Sequence, residues 1–472
     1  MTILRLIILT LAVYFIIPAN GVAQTAHRKP PKNVILCISD GWSQNHILAA
    51  NYFLNGKAEA QAYESFPLRL FMSTYPAKLK DGEDLKQFAT GYDPARAWSD
   101  ADYPRKGATC SAAAATAMAC GQKTVNGAIG MDIHGKPLPN LTEMAEALGK
   151  ATGVVTSVPI SHATPAGFVA HNVHRNNYDQ IARDMLLDSR VDVIMGCGHP
   201  QYGKGGETLS VTDNYKYVGG KETWEDLLAG RTEFRTAAPS GNNQVLDANG
   251  DGTPDPWSLV QDREGFLRLA SGPAPTRVLG LAPVASTLQQ DRPGDGKAPA
   301  FAAPFIVGMP TLREMTLAAL NVLDGDPEGF FLMVEGGAID WASHDNQSGR
   351  MIEEMDDFNR TVDALIEWVE VHSSWEETLL IVTGDHECGY LTGPVQQEGF
   401  NVKLPVLNHG QGTMPGMQWN HDNHTNQLIP LFARGAGSER ALLFADEVDP
   451  VRGKYLNNTE IAQWINILWG TR

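Results

Sequence analysis

Short apolar runs that do not alternate with polar residues stand at Asn33–Ile38, Gly153–Val158, Val191–Met195, Gly329–Val334, Thr378–Thr383 and Gln427–Phe432. Such runs predict strands buried on both faces, as in parallel sheets covered by helices. Helical patterns lie between them. Asn140 to Lys150 opens with an Asn-x-x-Glu cap, and Thr311-Leu-Arg-Glu314 is a capping box for a helix ending near Gly325. Tyr178 to Leu187 is amphipathic. Met351, Ile352, Met355, Phe358, Val362, Leu365, Ile366 and Val369 recur at helical spacing, and a last helix is predicted from about Asn458 to Trp469. The alternation predicts an α/β fold with a large, mainly parallel, doubly wound central sheet flanked by helices on both faces. Periodicity is poor from Gly56 to Lys106, which reads as mostly loop. Residues 200–304, rich in Gly, Pro, Asn and Asp, read as an insertion over the catalytic face, and residues 387–420 as a loop-rich lid.

The chain has 472 residues with no internal repeat, linker or composition shift, so residues 24–472 read as one large domain. Arg5, the apolar run Leu6–Ile17, Pro18 and the small residues Gly21-Val-Ala23 read as an export signal over residues 1–23. The apolar run is too short to span a membrane. The expected mature protein is periplasmic or secreted and carries no membrane anchor. Cys37, Cys110, Cys120, Cys197 and Cys388 are odd in number and sit in apolar or glycine-rich surroundings, which predicts buried thiols rather than a disulfide framework. The net charge of −17 repels nucleic acid and phosphate at long range. A phosphate site on such a protein must be locally positive, and metal ions achieve that.

Metal-ligand residue types follow the predicted strands closely. Asp40 ends the first; His162 and Thr164 follow the Gly153 run; Glu335, Asp340 and His344 follow the Gly329 run; Asp385 and His386 follow the Thr378 run. In an open α/β sheet, ligands bind beyond the carboxyl ends of the strands. Asp340 and His344 are one helical turn apart, so both can face one ion. His421-Asp-Asn-His424-Thr425 adds another imidazole pair before the last strand. Taken singly, Asp40 also reads as a turn aspartate and Asp340 with His344 as a surface ion pair; the repetition of such residues at successive strand ends indicates a multi-metal site. Within the insertion, Asp247, Asn249, Asp251 and Asp255 alternate around glycines as in calcium loops, although Ser258 stands where such loops carry an acid.

Gly107 to Asp132 reads GATCSAAAATAMACGQKTVNGAIGMD. It places Ser111 at the start of an Ala-rich helix stopped by Gly121, where free backbone N–H groups and the helix dipole favour an anion. This segment resembles the nucleophile segment of the alkaline phosphatases, and the resemblance extends in order over nearly the whole mature chain. It implies the alkaline-phosphatase-like fold and a phosphomonoesterase with Ser111 phosphorylated in turnover. It further implies Asp340, His344 and His424 on one zinc, with His421 as the alternative to His424. Asp385, His386 and Asp40 would bind a second zinc. Asp40 would bridge to a magnesium held with Thr164 and Glu335, and Arg175 would clamp the phosphate. The family also implies a homodimer.

Departures qualify the carry-over. Cys110 stands where relatives carry the aspartate that helps hold the arginine. His162 and Trp341, bordering the third metal, vary among relatives, which leaves Mg²⁺ or Zn²⁺ open there. Arylsulfatases are excluded, because Cys110-Ser-Ala-Ala-Ala lacks their Cys/Ser-x-Pro-x-Arg sequence. A phosphodiesterase of the same superfamily and a non-catalytic phosphate- or metal-binding protein remain as alternatives.

Overall fold

The computed structural model describes residues 30–79, 87–89, 91–212, 214–394 and 404–471. The export signal expected over residues 1–23, and residues 395–403 of the expected lid, lie outside them. An eleven-stranded sheet forms the centre. Across it, the strands run in the order Glu447–Asp449, Gly453–Asn457, Leu68–Ser73, Ile429–Gly435, Thr378–Gly384, Asn33–Ser39, Phe330–Gly336, Ala151–Pro159, Val193–Cys197, Val278–Leu281 and Ser258–Val260. From Thr378–Gly384 to Ser258–Val260 every neighbouring pair is parallel. Ile429–Gly435 runs antiparallel to both of its neighbours. The central strands are apolar and buried along almost their whole length, as strands covered on both faces must be.

Both expected caps form. Asn140 and Thr311 accept from the backbone of the first turn, while Glu143 and Glu314 close the boxes. The long helix runs from Ser348 to His372, its apolar side buried. Two expectations need correction. The stretch from Gly56 to Lys106, expected to be mostly loop, contributes Leu68–Ser73 as a full member of the central sheet between two partners. Its central Arg69 is exposed and the run is short, so it lacks the signature of a doubly buried strand. Residues 200–304 are likewise not wholly an insertion over the site, because Val278–Leu281 and Ser258–Val260 extend the sheet at one edge. These strands are too brief to announce themselves by pattern.

Register positions the chemistry. Ser39 pairs with Gly384 and with Gly336, and Ile38 and Thr156 each pair with Glu335. Three strands therefore end level, side by side, with Asp40, Asp385 and Glu335 at one rim, and Ala151–Pro159 runs on beside them. The Ser111–Cys120 helix is buried throughout. It lies so close to the Ala163–Val169 helix that a Cβ on Gly167 would stand 2.6 Å from the Ala115 Cβ. Larger residues than alanine would lift Ser111 away from that rim.

Under the site, Glu354 on the long helix is buried with Oε1 lacking a hydrogen bond. Burial, with the nearby Asp357 and Glu353 charges, pushes its carboxyl up to about 8. The folded chain thus keeps a proton that the unfolded chain loses near the ordinary glutamate value, and stability falls as pH rises from about 5 to about 8. Glu354→Gln is expected to flatten that fall. Thermal unfolding of both proteins at pH 5.5 and 8.0 checks it; parallel slopes would refute it.

Candidate active site and metal centre

Ser111 is the first residue of its helix and only 2% exposed. Its Oγ lies 3.2 Å from His386 Nε2. The same Nε2 is 3.1 Å from Asp385 Oδ2 and 3.5 Å from Asp40 Oδ1. Asp385 is oriented from its other oxygen, which accepts the backbone N–H of His386 and of Gly41. Asp40, Asp385 and His386 therefore form one compact buried donor group.

A second group gathers Asp340, His344, His424 and Cys388 within 4.8 Å of one another. The tautomers follow from the partners. His344 Nδ1 lies 2.6 Å from the Asp422 carbonyl and His424 Nδ1 lies 2.7 Å from the Thr109 carbonyl. A carbonyl oxygen only accepts, so both Nδ1 atoms carry protons, and in neutral rings both Nε2 atoms present lone pairs. Those two lone pairs face each other at 3.0 Å, with Asp340 3.3 to 3.4 Å from each. Acceptors so placed repel unless a proton or a metal cation stands among them; burial lowers His344, but Asp340 outweighs it and pushes the ring up to about 9, so the site calls for positive charge, and two imidazoles with a carboxylate are zinc-type ligands. His424, not His421, is the ring in this group.

Glu335 completes the rim. Its Oε2 accepts from Thr156 Oγ1, and Thr164 stands close enough to help lower its pKa. Yet neither Glu335 Oε1 nor Thr164 Oγ1 makes a hydrogen bond of normal geometry, although both are buried. Orphaned buried oxygens of this kind fit a cation. Burial pushes the Glu335 carboxyl up to about 7 and the Asp385 carboxyl up to about 6. Burial and the facing carboxylates raise Asp40 well above the usual range. Asp340 moves the other way: burial raises it, but His344 and His424 outweigh burial and hold it low. The protein's own groups thus leave Asp40, Asp385 and Glu335 short of positive charge.

Arg175 lines the cavity above Ser111, a space of about 440 Å³ that also meets His162, Trp341, Asp340, His344 and His424. Its backbone N–H donates to the Gly127 carbonyl, while Gly127 N–H donates to Cys110 Sγ and Asn126 Oδ1 accepts from Cys110 N–H. The Asn126-Gly127 turn therefore couples the residue before the nucleophile to the arginine. Among the described residues, no ion pair restrains the Arg175 guanidinium. His162 is held low, to about 3, by burial and then by Arg175, and it packs edge-on to Trp341 at 5.2 Å. Asp247, Asn249, Asp251 and Asp255 stand apart from this cavity in an exposed loop whose carboxylates accept the loop's own backbone N–H groups.

Sequence reasoning passed over Cys388, although it stands two residues beyond His386. It also passed over Lys204, Gln290, Asp291 and Asp345, which line the cavity. No side-chain pattern could have flagged the carbonyls of Thr109 and Asp422, since every residue has one.

The chain belongs to the alkaline phosphatase family, whose profile matches residues 31–413. It is 30% identical to alkaline phosphatase 3 of Bacillus subtilis over 76% of this chain and 61% of that relative, so it spans less than two thirds of that relative's length. To the alkaline phosphatase of Escherichia coli it is 30% identical over 89% of this chain and 84% of the relative. In three dimensions it resembles a variant of the alkaline phosphatase TAB5 with Mg bound in the M3 site. The TM-score is 0.60 at 25% identity, covering 93% of this chain and 98% of that one.

Gly41 has φ +76°, and a Cβ there would stand 2.6 Å from Asp340 Cα and 2.9 Å from its Oδ1. Gly41→Ala is expected to push Asp340 out of its group, lowering stability by about 1–3 kcal/mol and reducing the metal retained on dialysis. Elemental analysis with urea unfolding measures both; full retention of metal would contradict it.

Proposed function

We propose that this chain is an exported alkaline phosphatase that hydrolyses small phosphate monoesters at a site built for two zinc ions and one magnesium ion. The observation that carries the reading is the pair of imidazole Nε2 atoms 3.0 Å apart beside Asp340, next to the Asp40, Asp385 and His386 group that Ser111 Oγ meets at 3.2 Å from His386 Nε2. Asp340, His344 and His424 would hold one zinc, and Asp40, Asp385 and His386 the other. Asp40 would be shared with magnesium at Thr164 and Glu335, bordered by His162 and Trp341. The magnesium in the M3 site of the TAB5 variant supports that third ion. When bound, such ions steady the attacking and leaving oxygens of an in-line displacement and lower the pKa of hydroxyl and water.

The chain's own groups supply the rest. Ser111 Oγ attacks phosphorus at the positive end of its helix, the bond to the ester oxygen breaks, and the phosphoryl group rests on Ser111. Water then attacks phosphorus from the opposite side and returns Ser111 with free phosphate. Arg175 grips two non-bridging oxygens with its planar fork in both steps. The same reading takes residues 24–472 as one catalytic domain, the enzyme as a homodimer in the periplasm or outside the cell, and the 247–255 loop as able to hold a structural calcium ion.

Hydrolysis of p-nitrophenyl phosphate, bis-p-nitrophenyl phosphate and p-nitrophenyl sulfate, by protein purified with Zn²⁺ and Mg²⁺, tests the proposal. The monoester is expected to be strongly preferred, with turnover abolished by EDTA and lowered by at least about 10³ in Ser111→Ala. Preference for the diester would overturn the role of Arg175 and the third ion. Absence of all turnover would favour a binding protein.

Cys110 gives a second test. Its thiol braces the Gly127 turn and leaves Arg175 without a carboxylate partner, so phosphate is held loosely. Cys110→Asp is expected to tighten inhibition by inorganic phosphate about tenfold. An unchanged inhibition constant would sink the idea.

A further inference from the structure

Cys388 is fully buried beside Asp340, His344 and His424, and its placement is fixed from several directions. The short strands Glu387–Cys388 and His424–Thr425 pair antiparallel, with Glu387 opposite Thr425 and Cys388 opposite His424. Directly opposed residues put their side chains on the same face, and neighbours along a strand put theirs on opposite faces. Thr425 Oγ1 accordingly donates to Glu387 on one face, which leaves the Cys388 thiol and the His424 ring together on the other. The backbone of Cys388 is held as well: its N–H donates to the Gly41 carbonyl, and its carbonyl accepts from the buried His46 ring.

An ordinary buried cysteine acts as a small apolar residue. Cys120 and Cys197 fit that description, because their thiols turn to the backbone carbonyls of Leu138 and Ser157. Cys388 does not. Its Sγ lies within 4.8 Å of a donor atom of each of Asp340, His344 and His424, and within hydrogen-bond reach of the Asp340 carboxylate. Asp340 Oδ1 is itself buried without a hydrogen bond of normal geometry. Two imidazole nitrogens, a carboxylate oxygen and a sulfur so close together match, in number and in kind, the donors that tetrahedral zinc takes.

We propose that Cys388 Sγ is a fourth protein ligand of the ion held by Asp340, His344 and His424, which makes this half of the centre chemically softer than the other. The inference rests on the metal-centre reading and deepens it. On binding, the Cys388 S–H bond breaks, its electron pair forms the sulfur–metal bond and the proton passes to solvent; nothing is oxidised or reduced. Thiolate and Asp340 together then cancel the two charges of the ion. The group of Asp40, Asp385 and His386 offers oxygen and nitrogen without sulfur. The two halves therefore differ in the kind of ion they suit, a difference that aspartates and histidines at strand ends do not by themselves create.

Sulfur ligation has spectroscopic signatures that do not depend on turnover. The full protein exchanged with Co²⁺ by dialysis is expected to show a near-ultraviolet sulfur-to-cobalt charge-transfer band. Cys388→Ser should lose the band while still retaining cobalt, and Cys110→Ser, which removes the thiol beside Ser111, should keep it. X-ray absorption of the zinc-loaded wild-type protein, which needs no variant, should show a sulfur neighbour of zinc at about 2.3 Å. Bound cobalt and zinc with neither the band nor the sulfur neighbour would overturn the ligand role and leave the metal centre intact, as would a band that survives in Cys388→Ser. Failure of the wild-type protein to retain either ion would overturn the metal-centre reading and this inference with it.

Discussion

Carboxylates buried together repel one another, and Asp40, Glu335, Asp340 and Asp385 are all buried at one rim of one sheet. Burial alone raises the pKa of such groups, and their mutual charges raise it further. Asp340 escapes because His344 and His424 face it; Asp40 and Asp385 share His386, whose own buried ring is held well below its ordinary value, and for both of them and for Glu335 burial outweighs what lowers them. Much of the surrounding structure is intelligible as the means of holding this unfavourable set together. The fold gathers the charges, and a cation is the simplest group that relieves them.

The gathering depends on level strand ends and small residues. Parallel pairing with Ser39 opposite Gly384 and Gly336 puts successive acidic residues side by side rather than staggered. Gly41 leaves room for Asp340, and Gly167 leaves room for the alanine helix that carries Ser111. Each is a place where the absence of a side chain sets the position of a functional one. The Asn126-Gly127 turn adds a lateral tie between Cys110 and the backbone of Arg175, so the nucleophile and the arginine share a support. Carbonyls of Thr109 and Asp422 then orient the imidazoles from behind.

The cavity joins two kinds of segment. One part of its lining comes from the strand exits, with Asp340, His344 and His424 near Ser111 and Arg175; another comes from connecting segments. The segment that reads as irregular supplies much of the second part, with Lys204, Gln290 and Asp291 all drawn from residues 200–304. Membership of the alkaline phosphatase family accounts for the first part, whose residue types recur at the strand exits. The second is built from connecting segments.

Much was legible before any coordinates. An apolar run that stops at Asp40, Glu335 or Asp385 is a local signal, because burial ends where the strand leaves the sheet. The capping boxes at Asn140 and Thr311 are local for the same reason, their partners being three residues away. Leu68–Ser73 was not legible, since a short run with an exposed arginine becomes a strand only when Ile429–Gly435 and Gly453–Asn457 close on either side. Cys388 stands two residues beyond His386, yet it reads as one more buried thiol until the fold brings it to Asp340, His344 and His424. The amino-acid sequence by itself determined which residues could do chemistry and that they stand at strand ends. Only the tertiary structure decided which ends lie level, which lone pairs meet and which buried oxygen is left free, because those depend on pairing between segments hundreds of residues apart and on backbone carbonyls that every residue shares.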